Sequence, residues 1–137
     1  MNIEPEFLTI EDVLEIHEGQ LTLFGCAAGV RDRRLLESAI AVPQAAFGGE
    51  WLHADLFEMA AAYAFHIAEN QPFIDGNKRT GLLCAVVFLD INGISIDYPD
   101  QRLHQAKIDI AEKKLDKKNF GKLLRDIFLK TSRRTGS

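Results

Sequence analysis

The sequence predicts an all-α protein, a compact six-helix bundle with a short flap between the second and third helices. Apolar residues recur at three- and four-residue spacing in successive segments, each bounded by a capping residue or a helix breaker. Strand-like runs are confined to the flap and to Ile94-Ser95-Ile96, both too short to build a sheet. Two segments are apolar around most of their circumference, which places them at the centre of the bundle.

Taken in order, Thr9 followed by Asp12 forms a capping-box pattern, with Asp in place of the usual Glu. It opens a first helix striped by Ile10, Val13, Leu14, His17, Leu21 and Phe24 and ended by Gly25. Asp32 caps a second, with Leu35, Leu36, Ala39 and Ile40 facing inward until Pro43 stops it. Gln44 to His53, with Gly48-Gly49 and Trp51, reads as a hairpin-like flap. Asp55, with Glu58 three residues on, caps a third helix that runs to about Asn70. The loop Gln71 to Asp75 leads into a fourth, Asn77 to Ile91, which ends at Asn92-Gly93. Pro99 starts a fifth through Leu115, and a sixth carries Phe120, Leu123, Leu124, Ile127 and Phe128 on one face.

The 137 residues contain no repeat or linker, so residues 1–130 are expected to form a single domain and residues 131–137 a disordered basic tail. No apolar run approaches the ~20 residues that span a bilayer. The N-terminus is acidic and lacks the regions of a signal peptide, which favours a cytoplasmic protein. Cys26 and Cys84 suit neither a disulfide framework nor a metal site and read as reduced thiols. Residues 113–137 carry a net +7 and the first 112 residues −11. An acidic body repels polyanions, no aromatic residues are interleaved among the charges of the tail (residues 131–137), and no DNA-reading motif is present. Nucleic acid is therefore not an expected partner.

The chemistry is concentrated in Asn70-Gln71-Pro72-Phe73-Ile74-Asp75-Gly76-Asn77-Lys78-Arg79-Thr80, between the two central helices. Unsatisfied backbone N–H groups and the positive end of the helix dipole make a helix N-terminus an anion site. Asp75 can hold a divalent cation beside it, Gly76 permits a left-handed turn, and Lys78 and Arg79 can reach phosphate oxygens. An arginine in the first turn is electrostatically misplaced unless an anion binds there.

This string resembles the signature of the Fic/Doc superfamily, His-x-Phe-x-Asp-(Gly or Ala)-Asn-Lys-Arg, and leans towards the death-on-curing toxins, Doc. Eight of the nine positions match from Gln71 to Arg79, and Gly29 to Ala39 is also similar in wording and position. The resemblance implies an all-α domain in which Asp75 coordinates Mg²⁺ bridging nucleotide phosphates. It likewise implies that Gly76, Asn77, Lys78 and Arg79 hold phosphates, with Phe73 fixing the loop in the core. Most Fic enzymes, which transfer AMP, have glycine where this chain has Lys78. The lysine resembles Doc, which uses ATP to move a terminal phosphoryl group onto a threonine of elongation factor Tu and so blocks translation.

The departure is Gln71, which stands where the family has its general-base histidine. An amide can orient a hydroxyl but cannot take its proton near neutral pH. Losing a general base typically costs ~100- to ~10,000-fold, yet phosphoryl transfer rests mostly on positioning and electrostatics. An attenuated kinase and a silent nucleotide- or partner-binding module both stay open, with AMP transfer as a third reading. Among substitutes, His66 lies roughly 140° around an ideal helix from Gln71. Glu69 is expected on a different face, His17 in the core, and His53 in a flap able to fold over the site. The inhibitory Ser/Thr-x-x-x-Glu helix of many Fic proteins is not found in the sequence. The resemblance then implies inhibition in trans by a small antitoxin that folds against the toxin.

Overall fold

The computed structural model describes residues 4–25, 29–96 and 101–136. Its elements follow the order α1 (Ile10–Phe24), α2 (Arg33–Ala41), a 3₁₀ turn (Val42–Gln44), β1 (Ala46–Phe47), β2 (Glu50–Trp51), α3 (Leu56–Asn70), α4 (Asn77–Ile91), α5 (Gln101–Ala111) and α6 (Lys117–Gly136). The two short strands form an antiparallel hairpin in which Ala46 faces Trp51 and Phe47 faces Glu50. The flap is therefore real, and the six helices make the molecule mainly α.

Local chemistry sets the helix ends. Thr9 Oγ1 accepts from the Asp12 N–H at 3.1 Å while Asp12 Oδ2 accepts from the Thr9 N–H at 2.9 Å, completing the capping box. Asp32 Oδ1 accepts from the Arg34 N–H at 2.9 Å, and Asp55 Oδ1 from the Glu58 N–H at 2.8 Å. Gly25 closes α1 in the left-handed conformation with its N–H on the Leu21 carbonyl.

α3 is the axis of the bundle, packed by α2, α4 and α6. Met59 through Ala64 and Ile67 are buried, so its surface is covered on nearly every side, as its apolar circumference requires. α4 lies closest to it. A Cβ on Gly81 would stand 2.8 Å from the Ala64 carbonyl oxygen, so glycine is what lets the two central helices meet. Tyr63 spans the core and its hydroxyl accepts from the Leu8 N–H at 2.9 Å, tying the N-terminal segment to α3. Burial pushes the Tyr63 phenol well above its usual range. The loop between α3 and α4 is thus anchored at both ends in rigid elements.

The structure differs from expectation at two helix ends. α5 stops at Ala111, not Leu115: Lys113 turns left-handed at φ 61°, and the N–H groups of Lys114 and Leu115 return to the Asp109 carbonyl at 2.7 and 3.2 Å. No glycine or proline marks that stop, so apolar spacing reads through it. The α6 backbone continues to Gly136, past the boundary drawn at residue 130. Ile94 to Ile96 forms no strand. Pro99, where the fifth helix was expected to begin, and Cys26 fall outside the described residues. No helix among those described is long and apolar enough to cross a membrane.

Candidate phosphate-binding site

The site begins where α3 ends. Gln71 caps α3 in a left-handed conformation, φ 49° and ψ 56°, with its N–H on the Ile67 carbonyl at 3.1 Å. A side chain there costs roughly 1–2 kcal/mol relative to ordinary backbone, and the surroundings hold it in place. Arg31 donates Nε to the Gln71 carbonyl at 2.8 Å and Nη2 to the Asn70 carbonyl at 3.0 Å. That puts a cation on the carbonyls at the negative end of α3. The Arg31 and Asp32 N–H groups both donate to the Pro72 carbonyl, at 2.7 and 3.1 Å, and the Ile74 N–H donates to the Gly29 carbonyl at 3.1 Å. Val30 and Phe73 form an antiparallel bridge. The segment from Gly29, which the sequence singles out separately, is therefore the brace of the loop.

Below the loop, Phe73 is 1% exposed and stacks on the His17 ring, with centroids 3.8 Å apart and planes 5° from parallel. His17 Nε2 lies 2.8 Å from the Asp75 carbonyl. A carbonyl only accepts, so the proton sits on Nε2. Asn77 Oδ1 accepts from the Phe73 N–H at 2.9 Å and its Nδ2 donates to the Phe73 carbonyl at 3.0 Å. The Asn77 amide, assigned from sequence to a phosphate, thus spends one donor and one acceptor on the loop backbone and keeps one N–H for other use.

Gly76, at φ 78°, is the N-cap of α4 and supplies no side-chain cap to its first N–H groups. At this end of α4 lies a cavity of about 500 Å³ whose wall includes Gln71, Ile74, Asp75, Gly76, Asn77, Lys78, Arg79 and Lys107. Every polar motif residue expected at a phosphate site therefore reaches one cavity, while Phe73 lies beneath it. Asp75 Oδ1 also accepts from the Gly76 N–H at 2.8 Å. No group of three or more His, Cys, Asp or Glu side chains gathers into a metal cage among the described residues. A hard cation held by Asp75 would then draw its other ligands from phosphate and water, as magnesium with a nucleotide does.

Lys107, from α5, was missed by sequence reasoning. It lies 28 residues or more from the motif, and its neighbours Leu103 and Ala106 set a helix period that gives no hint of the pocket. Its pKa is lowered first by burial and then by Arg79 and Lys78. The arrangement concentrates positive charge, which raises the affinity of the cavity for a polyanion.

No histidine replaces the missing base. His53 does not fold over the site but is buried, pulled down from an imidazole's ordinary 6.5 to about 4 by burial and, secondarily, by Lys117 and His66. His66 Nε2 lies 3.1 Å from Lys117 Nζ, and neither histidine lines the loop cavity. Glu69, expected on another face, shares with Gln71 and Lys78 the wall of an adjoining cavity of about 480 Å³.

The Fic/DOC family profile matches residues 7–89. A protein named Toxin Doc from Mycolicibacterium smegmatis is 37% identical over 113 residues, which cover 81% of this chain and 85% of the relative. One named Protein kinase doc from Escherichia phage P1 is 34% identical over 91 residues, covering 66% and 71% respectively.

Proposed function

Since the chain belongs to the Fic/DOC family, we propose that it is a Doc-type toxin that transfers a phosphoryl group from Mg·ATP to a protein hydroxyl. The observation that carries this reading is the cavity at the N-terminus of α4, where Asp75, Lys78 and Arg79 share one wall and no side chain caps the helix. Two relatives named as a toxin and as a protein kinase support it. Threonine of elongation factor Tu is the acceptor that the family resemblance implies.

In this reading the N–H groups of α4, Lys78 and Arg79 bind the phosphates and offset the charge that develops on them. Magnesium, held by Asp75, would supply Lewis-acid polarisation of the phosphoryl oxygens. Gln71, on the cavity wall, accepts a hydrogen bond from the acceptor hydroxyl and orients its oxygen in line with the terminal phosphorus. The oxygen–phosphorus bond forms as the bond to the leaving ADP oxygen breaks. With no imidazole at position 71, the hydroxyl proton leaves to solvent or to the transferred phosphoryl group, which a loose transition state tolerates at reduced rate. The polar side chain facing the cavity without a base also favours a second reading, a silent nucleotide-binding module.

A small antitoxin acting in trans is the expected regulator. The surface suited to it is a groove of about 520 Å³ between α1, α4 and the N-terminal segment, which shares no lining residue with the loop cavity. Its lining includes the apolar Leu23 and Val87 and the acidic Glu6, Asp12 and Glu15, and the buried Gln20 Oε1 has no hydrogen-bond partner. These features fit an amphipathic segment with basic flanks.

Terminally labelled ATP incubated with the protein and a lysate of cells lacking it is expected to label one protein band, and Arg79→Ala to abolish the label. Label arriving only from the alpha position would show nucleotide transfer instead. No label from either position, with nucleotide still bound, would establish the silent module.

A further inference from the structure

We propose that Lys107, on α5, is a phosphate-binding residue of the nucleotide site, so that α5 forms its far wall and the anion cradle is not confined to the motif loop. The inference rests on the nucleotide reading above and adds to it a residue that lies outside the matched family region.

Three observations carry it. Lys107 lines the same cavity as Asp75, Gly76, Lys78 and Arg79, although it comes from a different helix. It also shares with Lys78 the wall of a small space of about 10 Å³ over Ala64, Ala68 and Leu82, so the two lysines, one from α4 and one from α5, lie side by side on the α3–α4 surface. Finally, no hydrogen bond or ion pair of Lys107 is found among the described residues, while Lys78 and Arg79 act on it repulsively. Like charges held together around a cavity raise the energy of the empty site, and a bound polyanion relieves that repulsion.

Burial of the ammonium lowers its pKa, and this also admits a different role, accepting the proton that Gln71 cannot. The cationic surroundings favour phosphate binding, because a terminal phosphate would restore the charged form of Lys107 and end its use as a base.

The test is equilibrium dialysis of labelled Mg·ATP, and separately of inorganic triphosphate, against wild type, Lys107→Met and Lys107→Arg. Thermal unfolding of each variant is recorded alongside. Met keeps the packed stem, and Arg restores the charge. Losing a charge-assisted phosphate contact is expected to weaken both ligands by roughly tenfold or more in the Met variant. The Arg variant is expected to recover most of that affinity, and the Met variant to lose less affinity than wild type as salt is raised. Wild-type binding with unchanged affinity in Lys107→Met would overturn the inference and leave the nucleotide reading standing. That result together with an altered pH–rate profile would assign the base role instead. A Met variant that loses affinity without recovery in Lys107→Arg would also count against a charge contact. Failure of wild type to bind either ligand would remove the nucleotide reading and this inference together.

Discussion

Gln71 occupies a backbone conformation that few non-glycine residues adopt, and Arg31 holds it there by gripping the carbonyls of Asn70 and Gln71. The residue at this position lies on the wall of the loop cavity, and here it is an amide. Gln71→His is therefore expected to raise phosphoryl transfer by ~100-fold or more, the usual worth of a positioned base. A single-turnover assay checks this, and an unchanged rate would show that the pocket no longer presents an acceptor to residue 71. His53 offers a separate test of the described geometry. The unfolded chain takes up a proton below about 6.5, whereas the native imidazole resists until about 4. Stability should thus fall as pH drops through that window, by on the order of 3 kcal/mol in total. Urea unfolding at pH 7 and pH 5 should show a smaller difference for His53→Gln than for wild type, and equal differences would contradict a buried neutral imidazole. At this scale the gathering of the polar motif side chains on one cavity was legible because their types and spacing are chemical, and the core place of His17 was legible from its apolar stripe. The contact of His17 with the Asp75 carbonyl and the grip of Arg31 on Asn70 and Gln71 were not, because each acts on backbone carbonyls that no residue pattern reveals.

Among the elements, α3 and α4 decide where the loop sits. They approach tightly at Gly81 against Ala64, where any side chain meets backbone. Gly81→Ala should destabilise the protein by about 1–3 kcal/mol, because a rigid helix must move to admit one methyl group. The same displacement shifts both ends of the loop, so transfer should slow in the folded variant. Chemical denaturation and a rate measurement on the same preparation check both, and an unchanged midpoint would mean that the helices are not in contact there. Capping residues made the starts of α1, α2 and α3 readable, since Thr9, Asp32 and Asp55 each accept the backbone N–H groups that their sequence positions imply. The end of α5 was not readable. Its stop depends on Lys113 turning left-handed and on the Lys114 and Leu115 N–H groups returning to the Asp109 carbonyl, and no residue type at these positions signals it.

Over the whole molecule, charge is divided unevenly, yet the site does not follow the bulk balance. The body is acidic, and still the loop cavity gathers Lys78, Arg79 and Lys107 around a helix N-terminus. A local cationic basin in an acidic molecule favours a small, metal-neutralised polyanion over an extended one, which suits Mg·ATP better than nucleic acid. The helix order and the central place of α3 and α4 were legible from apolar periodicity. The convergence of α5 on the motif was not, because it is a tertiary contact between distant segments. Saturating nucleotide should also stabilise the fold, by about 2.7 kcal/mol at a hundred times its dissociation constant. The most direct test of the account is titration calorimetry of the purified protein with ATP, with and without magnesium. The account predicts saturable, magnesium-dependent binding that Arg79→Ala weakens by roughly tenfold or more. Absence of any heat of binding in the wild-type protein, with magnesium in excess and the fold intact by circular dichroism, would contradict it.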